Sequence, residues 1–282
     1  MPICTYNALS GDPTKTKYIR ERLVGELKTR FASINAKSKT KIVDEDFFRL
    51  GTRKPIQLAE EDNWFWRDEV NDYMLWWEDV AEEELMEPQS TEQTQFPFWL
   101  ALFLSAGYSQ GIERAQSELR RIGINVLEGE SHVPSRMRHP EHIERFSRLV
   151  NRGREGMEKI KGNLKAVVRN TISDGLLENV GRYALFNEAR KATTKIRNKQ
   201  AITLANTEIV RAHHRANIGE YKLAGIKNVK VLAEWVTAGD GRVCAYCAYM
   251  GSLNKLWKLE EIETMIPAHL NCRCLCLPVF NK

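Results

Sequence analysis

The cysteine and histidine residues between positions 244 and 276 have the types and spacing of a metal site. The chain has six cysteines, and all of them except Cys4 lie in this stretch. Cys244 and Cys247 are separated by two residues, and His269 and Cys272 repeat this gap, so the pattern is C-x2-C-x21-H-x2-C. A structural zinc ion takes four thiolate or imidazole ligands in a tetrahedron, and a CxxC turn supplies two of them. The spacing therefore predicts a structural zinc site.

The spacing does not decide which side chain is the fourth ligand, because the cluster holds more donors than a tetrahedral site needs. Cys274 and Cys276 follow Cys272 at alternate positions, and alternate side chains of an extended strand lie on one face. We expect one zinc ion, whose candidate ligands are Cys244, Cys247, Cys272 and either His269 or Cys274. Cys276 and Cys4 should be dispensable. Two alternatives without metal stay open: reduced thiols, and a disulfide formed after release from the cell.

The same residues also allow two catalytic interpretations. A catalytic zinc ion keeps one coordination position open and needs a nearby general base. Asp240 and Glu234 are close in sequence, but no motif marks either as a base. A cysteine hydrolase would use Cys244 or Cys247 as nucleophile and His269 as base. The surplus of ligands favours a closed structural site over both interpretations.

The remaining histidines do not form a recognisable metal motif. His213 and His214 are adjacent on a predicted helix and lack the i, i+4 spacing of a helical metal pair. We expect one of them to be exposed and the other to be half-packed. His132, His139 and His142 surround a polar stretch and carry no signature.

The elements that must position the cluster are predicted from hydrophobic periodicity. Apolar residues at helical spacing predict helices over residues 15–36, 58–87, 97–122, 143–172 (with an interruption at "NRGREG"), 181–199 and 203–226. β-Branched residues predict a strand over 229–237, followed by two short helices and a closing strand at "CLCLPVF". The predicted fold class is mainly α: an elongated helical body followed by a small α+β zinc-binding C-terminal module.

The organisation predicted from these elements has three segments. Residues 1–130 form an N-terminal helical region of unassigned role, residues 131–227 a basic helical body, and residues 228–282 the small module with the Cys/His site. The polar stretch 127–140 is the best boundary candidate, because it contains Gly, Ser and Pro between two periodic segments.

The composition is that of an ordinary globular protein, with 43% hydrophobic and 28% charged residues. No apolar segment follows the first charges of the N-terminus, so we expect no signal peptide. The most apolar run, residues 96–108, is shorter than the about 20 residues needed to span a bilayer. We therefore expect synthesis in the cytosol, reduced thiols and no membrane partner.

Charge is distributed unevenly along the chain. Twelve acids and one base lie between Glu60 and Glu87, whereas twenty bases and nine acids between Arg138 and Lys230 give that stretch a charge of +11. Such separation indicates either a basic face for nucleic acid or an acidic partner, or simply two solvated helix faces. The tryptophans and tyrosine of residues 58–87 favour the core of a helical bundle, with a partner-binding surface as the alternative.

Several residues in the second half of the chain occur in a distinctive order. They are Thr207-Glu208 on a helix, Gly225, Trp235, Asp240, Arg242, the Cys244/Cys247 pair, Gly251, and His269 before Cys272-Arg273-Cys274. This ordered set, over about residues 140–280, resembles the phage Mu protein F-like family of phage minor head (head morphogenesis) proteins. The chain departs from the family at Leu270, where a proline is usual, which removes a turn constraint but no ligand. Residues 1–130 are outside the resemblance.

The resemblance implies a structural, non-enzymatic protein of a tailed-phage head. Such proteins are present in few copies, associate with the portal or the inner capsid, and act in head assembly and in DNA packaging or delivery. The implied partners are the portal protein and the major capsid protein, with packaged double-stranded DNA as a further, non-specific one. The implied location is the virion, in the capsid interior or at the portal vertex, after synthesis in the host cytoplasm.

Two other function classes compete with this interpretation. The first is an enzyme, either a zinc-dependent nuclease or a cysteine hydrolase; the module has neither a His-Asn-His constellation nor a cluster of carboxylates for nuclease chemistry. The second is a cytosolic zinc-binding, DNA-associated factor with no role in a virion. A position of the gene beside portal and capsid genes would favour the head protein over this factor.

Overall fold

The computed structural model describes residues 12–51, 65–86, 98–124, 132–225 and 231–280. The helices are α1 (Lys17–Lys39), α2 (Phe65–Leu85), α3 (Trp99–Arg121), α4 (Val133–Met137), α5 (Pro140–Leu177), α6 (Arg182–Ile196), α7 (Ile202–Gly225), α8 (Ala245–Ser252) and α9 (Leu259–Met265). A π-helical turn, Thr40–Asp44, follows α1, and another, Arg197–Ala201, joins α6 to α7. The predicted mainly α fold class is confirmed. In the part of the chain described, no helix is long and apolar enough to cross a membrane.

The strands β1 (Val231–Val236), β2 (Leu256–Trp257) and β3 (Leu275–Phe280) form one antiparallel sheet in the order β2-β1-β3. The register sets Trp235 of β1 opposite Cys276 of β3. Ala233 and Trp235 are buried in the same cluster as the cysteines, whereas Glu234, between them, points to the other face. The predicted α+β character of the C-terminal module, with its two short helices, is confirmed.

The chain divides into two compact units. Unit 1 comprises Met1–Leu23, Leu100–Gly153 and Thr203–Lys282, and unit 2 comprises Val24–Trp99 and Arg154–Ile202. Each unit is assembled from stretches that are separated in sequence. The predicted segments were drawn from composition and periodicity along the chain. Their boundaries, 1–130, 131–227 and 228–282, stay a prediction.

Helices α3 and α7 pack closely in unit 1 because small residues line their contact. Gly107 and Gly111 of α3 face Ala212, His213 and Ala216 of α7. A Cβ atom added at Gly111 would lie 2.4 Å from the carbonyl oxygen of His213 and 2.7 Å from Cβ of Ala216. Such distances are far inside van der Waals contact, so only glycine permits this approach of the two backbones.

The C-terminal module shares one hydrophobic core with α3 and α7. Ala115 and Leu119 of α3 and Ile218 and Tyr221 of α7 belong to the same buried cluster as residues of the sheet, α8 and α9. Four cysteines of the module are part of this cluster: Cys247, Cys272, Cys274 and Cys276. Three of the five metal-site candidates, Cys247, Cys272 and Cys274, are therefore set into the core of unit 1, whereas Cys244 is partly buried and His269 is exposed.

Helix α5 runs without a break from Pro140 to Leu177, although "NRGREG" predicted an interruption. Gly153 lies on the buried stripe of the helix, and a Cβ atom there would be 3.1 Å from Cδ2 of Leu100. The glycine makes room for α3 and does not end the helix. The predicted interruption is wrong, because tertiary packing outweighs the weak helix propensity of glycine.

The aromatic side chains of α2 belong to the core of unit 2. Trp66, Tyr73 and Trp77 are buried, which confirms the interpretation as bundle core for these three residues. Trp76 is partly buried, and Trp64 lies outside the described residues. These buried rings are not available as a docking surface for another protein.

Acidic residues of α2 pair with basic residues of α5 in unit 2. Lys161 forms an ion pair with Glu82, and Lys165 forms one with Glu78. Arg169 donates a hydrogen bond of 2.5 Å to an amide oxygen of α2. The stretches of opposite charge therefore meet within the unit, and Lys161 and Lys165 are paired with carboxylates rather than left on a free positive face.

Candidate metal centre

The first pair of cysteines lies at the start of helix α8. Cys244 is the N-cap residue, and its Sγ accepts a hydrogen bond of 3.4 Å from the backbone N–H of Cys247. This N–H stabilises the thiolate and lowers the pKa of Cys244. Cys247 follows within the first turn of the helix and is buried. The helix start therefore turns both sulfur atoms towards one point.

The second group of donors lies on a tight turn between α9 and β3. Asn271 has a φ of 59°, a left-handed conformation that asparagine tolerates. Its N–H donates a hydrogen bond of 3.1 Å to Oγ1 of Thr207 on α7, and the N–H of Cys272 donates one of 3.2 Å to the carbonyl of His269. The turn is therefore anchored on α7 and holds His269 and Cys272 side by side.

An ion pair joins the two groups of donors. Arg273 donates two hydrogen bonds to Asp240, from Nη1 to Oδ2 at 2.7 Å and from Nη2 to Oδ1 at 2.5 Å. Asp240 also accepts a hydrogen bond of 3.0 Å from the N–H of Arg242. The hydrogen bonds from Arg273 hold the pKa of Asp240 well below its usual range. This pair ties the turn before Cys244 to the turn that carries Cys272.

All five predicted donor side chains come together. One group of ligand atoms within 4.8 Å of one another consists of Cys244, Cys247 and His269, and a second consists of Cys247, Cys272 and Cys274. Cys247 belongs to both. Its Sγ is 3.9 Å from that of Cys272, close to the about 3.8 Å between two thiolates that each lie about 2.3 Å from a tetrahedral zinc ion. The cluster could therefore hold a metal ion.

His269 presents its Nε2 atom to the cluster. Its Nδ1 donates a hydrogen bond of 2.8 Å to the carbonyl of Leu270. Nε2 therefore carries the free lone pair, and it lies 3.1 Å from Sγ of both Cys244 and Cys247. Metal-binding histidines commonly have their tautomer fixed by such a partner. The leucine at position 270, where the family it resembles usually has proline, does not affect this orientation, because the partner is the backbone carbonyl of residue 270.

Burial and neighbouring thiols separate the pKa values of the inner cysteines. Burial, and then the charge on Cys272, raise the pKa of Cys247 to about 12. A hydrogen bond from Cys274 lowers the pKa of Cys272 to about 5 and raises the pKa of Cys274. One thiolate is therefore favoured among neutral thiols, because like charges at these distances repel. A bound dication would remove this repulsion and deprotonate the coordinating thiols.

Cys276 lies outside both donor groups. Its Sγ is 3.5 Å from Nδ1 of His214, whose Nε2 donates a hydrogen bond of 3.2 Å to the carbonyl of Ile262. Burial raises the pKa of Cys276 and lowers the pKa of His214 to about 3, so both groups are neutral. Cys4 falls outside the described residues.

The prediction that one of His213 and His214 is exposed is wrong, since both side chains are fully buried. Helix α7 is covered from two sides: Gly111 of α3 packs against the backbone at His213, and Ile262 of α9 contacts His214. Neither ring nitrogen of His213 has a hydrogen-bond partner among the described residues. Burial lowers the pKa of His213 to about 4.

The carboxylates near the cluster are not placed as general bases. Asp240 is held by Arg273. Glu234 lies on the face of β1 opposite to Trp235, which packs with the cysteines, and burial raises the pKa of Glu234. Over the ranges that the structure describes, both candidate groups consist of cysteine and histidine only.

A buried polar network elsewhere in unit 1 gave no signal in the sequence. Glu220 of α7 accepts hydrogen bonds from Arg136 at 2.9 and 3.1 Å and lies 2.8 Å from Nε2 of His142. The hydroxyl of Tyr108 lies 2.8 Å from Nδ1 of the same ring. Burial opposes ionisation of Glu220, but the hydrogen bonds from His142 and Arg136 outweigh it and lower its pKa. Tyr108 and Glu220 are far from Arg136 and His142 in sequence, so no local spacing could reveal the network.

The donor set of the cluster is chemically soft. It combines thiols with one imidazole and contains no carboxylate, which suits zinc and similar ions better than magnesium or calcium. No family model, no curated protein and no solved structure matches this chain significantly.

Proposed function

We propose that the cluster is a structural zinc site that closes the C-terminal module. The ligands are Cys244, Cys247, Cys272 and either His269 or Cys274. The soft donor set supports zinc, and the number of donors supports a shell filled by protein groups with no position left for substrate. A zinc ion bound there would join the start of α8 to the turn before β3.

A catalytic role for the same residues has less support. The contact of 3.1 Å between Sγ of Cys244 and Nε2 of His269 also fits a cysteine hydrolase. However, Cys247 contacts the same nitrogen at the same distance, and two further thiols adjoin it. A dyad needs one thiol and one base, whereas several thiols around one point are typical of a metal site. Alkylation separates the two roles: a catalytic thiol reacts in the native protein, whereas metal-bound thiols react only after chelation.

We further propose that the chain is a structural minor head protein of a tailed bacteriophage. It would associate with the portal or the inner capsid and act in head assembly and in DNA packaging or delivery. The observation that carries this proposal is that residues of the family-like ordered set make contacts around one cluster. Thr207 anchors the second donor turn, Asp240 pairs with Arg273, and a Cβ atom at Gly251 would lie 2.9 Å from Thr237. Residues that form a family signature should serve a common structural purpose, and these contacts support such a purpose.

Metal analysis of the chain, purified under reducing conditions, tests the zinc site. We expect about one zinc ion per chain, as a single tetrahedral site requires. Cys247→Ser should abolish binding because Cys247 belongs to both donor groups. The matched control Cys276→Ser should keep the metal, because Cys276 contacts His214 and neither group. A metal-free protein with a fully folded module would refute the site.

Analysis of phage particles tests the head role independently. Particles from the phage or prophage that encodes this chain should be purified on a density gradient and examined by mass spectrometry. We expect the chain in mature heads, in far fewer copies than the major capsid protein, and defective heads when its gene is deleted. Detection in the free cytosolic fraction alone would overturn the head role and leave the zinc site standing.

A further inference from the structure

Helix α6 of unit 2 presents a polar stripe on the side opposite to its core face. The buried residues of the helix are Leu185, Ala189, Thr193 and Ile196. The exposed residues recur with the same helical period on the other side and continue into the π-helical turn. We define the α6 stripe as Asn187, Arg190, Lys191, Lys195, Asn198 and Lys199.

The basic residues of the α6 stripe have almost no acidic partners. Glu188 lies 3.8 Å from Lys191 and offsets one of the four positive charges of the stripe. Across the ranges that the structure describes, no carboxylate oxygen lies within 4.0 Å of Arg190, Lys195 or Lys199. The basic residues Lys161 and Lys165 of α5, in contrast, pair with carboxylates of α2. The positive charge of unit 2 that remains for a partner therefore includes the α6 stripe.

We propose that the α6 stripe binds the phosphate backbone of double-stranded DNA without reading its sequence. Lysine, arginine and asparagine side chains are common donors to phosphate oxygens. From Arg190 to Lys199 the helix rises about 14 Å, and the same length of duplex axis holds about four phosphates of each strand. The row of charges thus matches a short stretch of one DNA strand.

The chemistry of the α6 stripe favours DNA over an acidic protein. Protein interfaces have an apolar or aromatic centre surrounded by a polar rim. The same exposed side also carries Tyr183, Ala184 and Glu188, but the cationic and amide side chains of the α6 stripe outnumber them. Interfaces with DNA are more polar and much more positively charged than interfaces with proteins. This proposal names double-stranded DNA as the partner in the packaging role proposed above. It rests on that role, because a row of positive charges alone would suit any polyanion.

Salt-dependent binding of the full chain to a fluorescent duplex of mixed sequence tests the proposal. Fluorescence anisotropy should be recorded between about 50 and about 200 mM salt, the range over which counterion release is large. The test variant is Lys195→Gln/Lys199→Gln. Loss of two phosphate contacts should make the slope of log affinity against log salt shallower by about 1.8. At about 50 mM salt, the affinity should fall at least tenfold.

The matched control is Lys161→Gln/Lys165→Gln, which removes the same charge from the same unit at paired positions. Its slope should stay within about 0.5 of the unaltered chain, because these lysines contribute no phosphate contact. Circular dichroism and urea unfolding show whether each variant is folded. If the control pair fails to fold, Lys37→Gln/Lys41→Gln replaces it, since these residues also pair with carboxylates in unit 2.

Three results would overturn the proposal. Equal loss of slope in the test and control variants would mean that net charge, rather than the α6 stripe, sets the affinity. Unchanged affinity of the test variant would exclude a role of the stripe. Tighter binding to polyglutamate than to duplex DNA, at equal charge concentration, would assign the stripe to an acidic protein. A chain that shows the expected slopes but is absent from phage particles would refute the head role alone.

Discussion

The ion pair between Asp240 and Arg273 connects two turns whose donor atoms would meet at the proposed zinc ion. Neither residue belongs to a donor group, so the pair acts by positioning the turns that lead to Cys244 and Cys272. Loss of such an outer partner typically lowers metal affinity 10- to 100-fold. We expect Asp240→Asn to weaken zinc binding by at least about tenfold, measured by competition with a chromophoric chelator at neutral pH.

Arg242 offers the control for this substitution. Its side chain is largely exposed and lies 3.4 Å from Asp240, in contrast to the two short hydrogen bonds of Arg273. Arg242→Gln should keep zinc affinity within about twofold of the unaltered chain, since exposed ion pairs contribute little. Equal affinities of Asp240→Asn and the unaltered chain would show that the turns are positioned without the ion pair.

His213 makes the stability of the chain sensitive to acid. Burial lowers its pKa from 6.5 to about 4 in the folded chain. Between these values the unfolded chain binds a proton that the folded chain does not, so stability falls as the pH drops from about 6.5 towards about 4. At pH 5 this histidine should cost on the order of 2 kcal/mol relative to pH 7.

Urea unfolding at pH 7 and pH 5 measures this effect in the unaltered chain and in His213→Leu. We expect the loss of unfolding free energy between the two pH values to be smaller in the variant by about 2 kcal/mol. The metal ligands titrate in both proteins, so their contribution cancels in the comparison. An equal loss of unfolding free energy in the two proteins would mean that His213 binds a proton as readily in the folded chain as in the unfolded chain.

The spacing of residues along the chain predicts the metal donors, but it does not predict the residues that surround them. The gaps between Cys244 and Cys247 and between His269 and Cys272 come from the geometry of single turns, so the five donors could be predicted. The pairing of Asp240 with Arg273 joins turns on either side of α8 and α9, and no local pattern reveals it. His213 and His214 were misjudged because helical spacing shows one apolar face, whereas α7 is covered from two sides.

At the scale of elements, the contact between α3 and α7 depends on Gly111. A Cβ atom there would lie 2.4 Å from a backbone oxygen that cannot move alone, so Gly111→Ala must push the helices apart. We expect a loss of about 3 kcal/mol in unfolding free energy. Gly162 of α5 is the control, because a Cβ atom there meets nothing within 4 Å. Gly162→Ala should stabilise the chain by about 0.5–1 kcal/mol through its higher helix propensity.

Urea unfolding of both variants checks the pair. A mild effect of Gly111→Ala, similar to that of Gly162→Ala, would show that α3 and α7 can separate at little cost. The zinc content of Gly111→Ala should stay at the level of the unaltered chain when the variant is folded, because neither helix contributes a donor.

The elements themselves were largely predictable, and the relations between them were not. Periodicity and β-branched composition predicted every helix except α4 and two of the three strands of the module, but not β2. The break expected at "NRGREG" was wrong because Gly153 faces Leu100, a contact between distant residues. The charges of each stretch could be counted in the sequence, but their partners could not be predicted. Lys161 and Lys165 pair with carboxylates of α2 in the fold. Pairing of distant elements decides which charges stay free, and composition does not contain that pairing.

At the scale of the whole molecule, loss of metal should affect more than the C-terminal module. In the structure, Leu119 of α3 and Tyr221 of α7 share a core with the cysteines. We expect chelation to accelerate amide exchange in α8 and α9 and in the parts of α3 and α7 that contact them.

Hydrogen–deuterium exchange with mass spectrometry, with and without a chelator, measures this spread. Helix α6 belongs to unit 2 and serves as the internal control, whose exchange should stay the same. Faster exchange confined to residues 231–280 would contradict the expectation and show that the module unfolds on its own.

The division of the chain into interleaved units also has a consequence for its synthesis. The last stretch of unit 2 ends at Ile202, whereas unit 1 still lacks α7, the sheet and every donor of the metal cluster at that point. The roughly 70 residues from there to Cys274 take a ribosome about 4 to 14 s to add, and helical structure forms within milliseconds. Unit 2 can therefore fold before the third stretch of unit 1 has been synthesised. Capture of the proposed zinc ion would then follow the folding of unit 2, and zinc supply would limit how many chains complete unit 1.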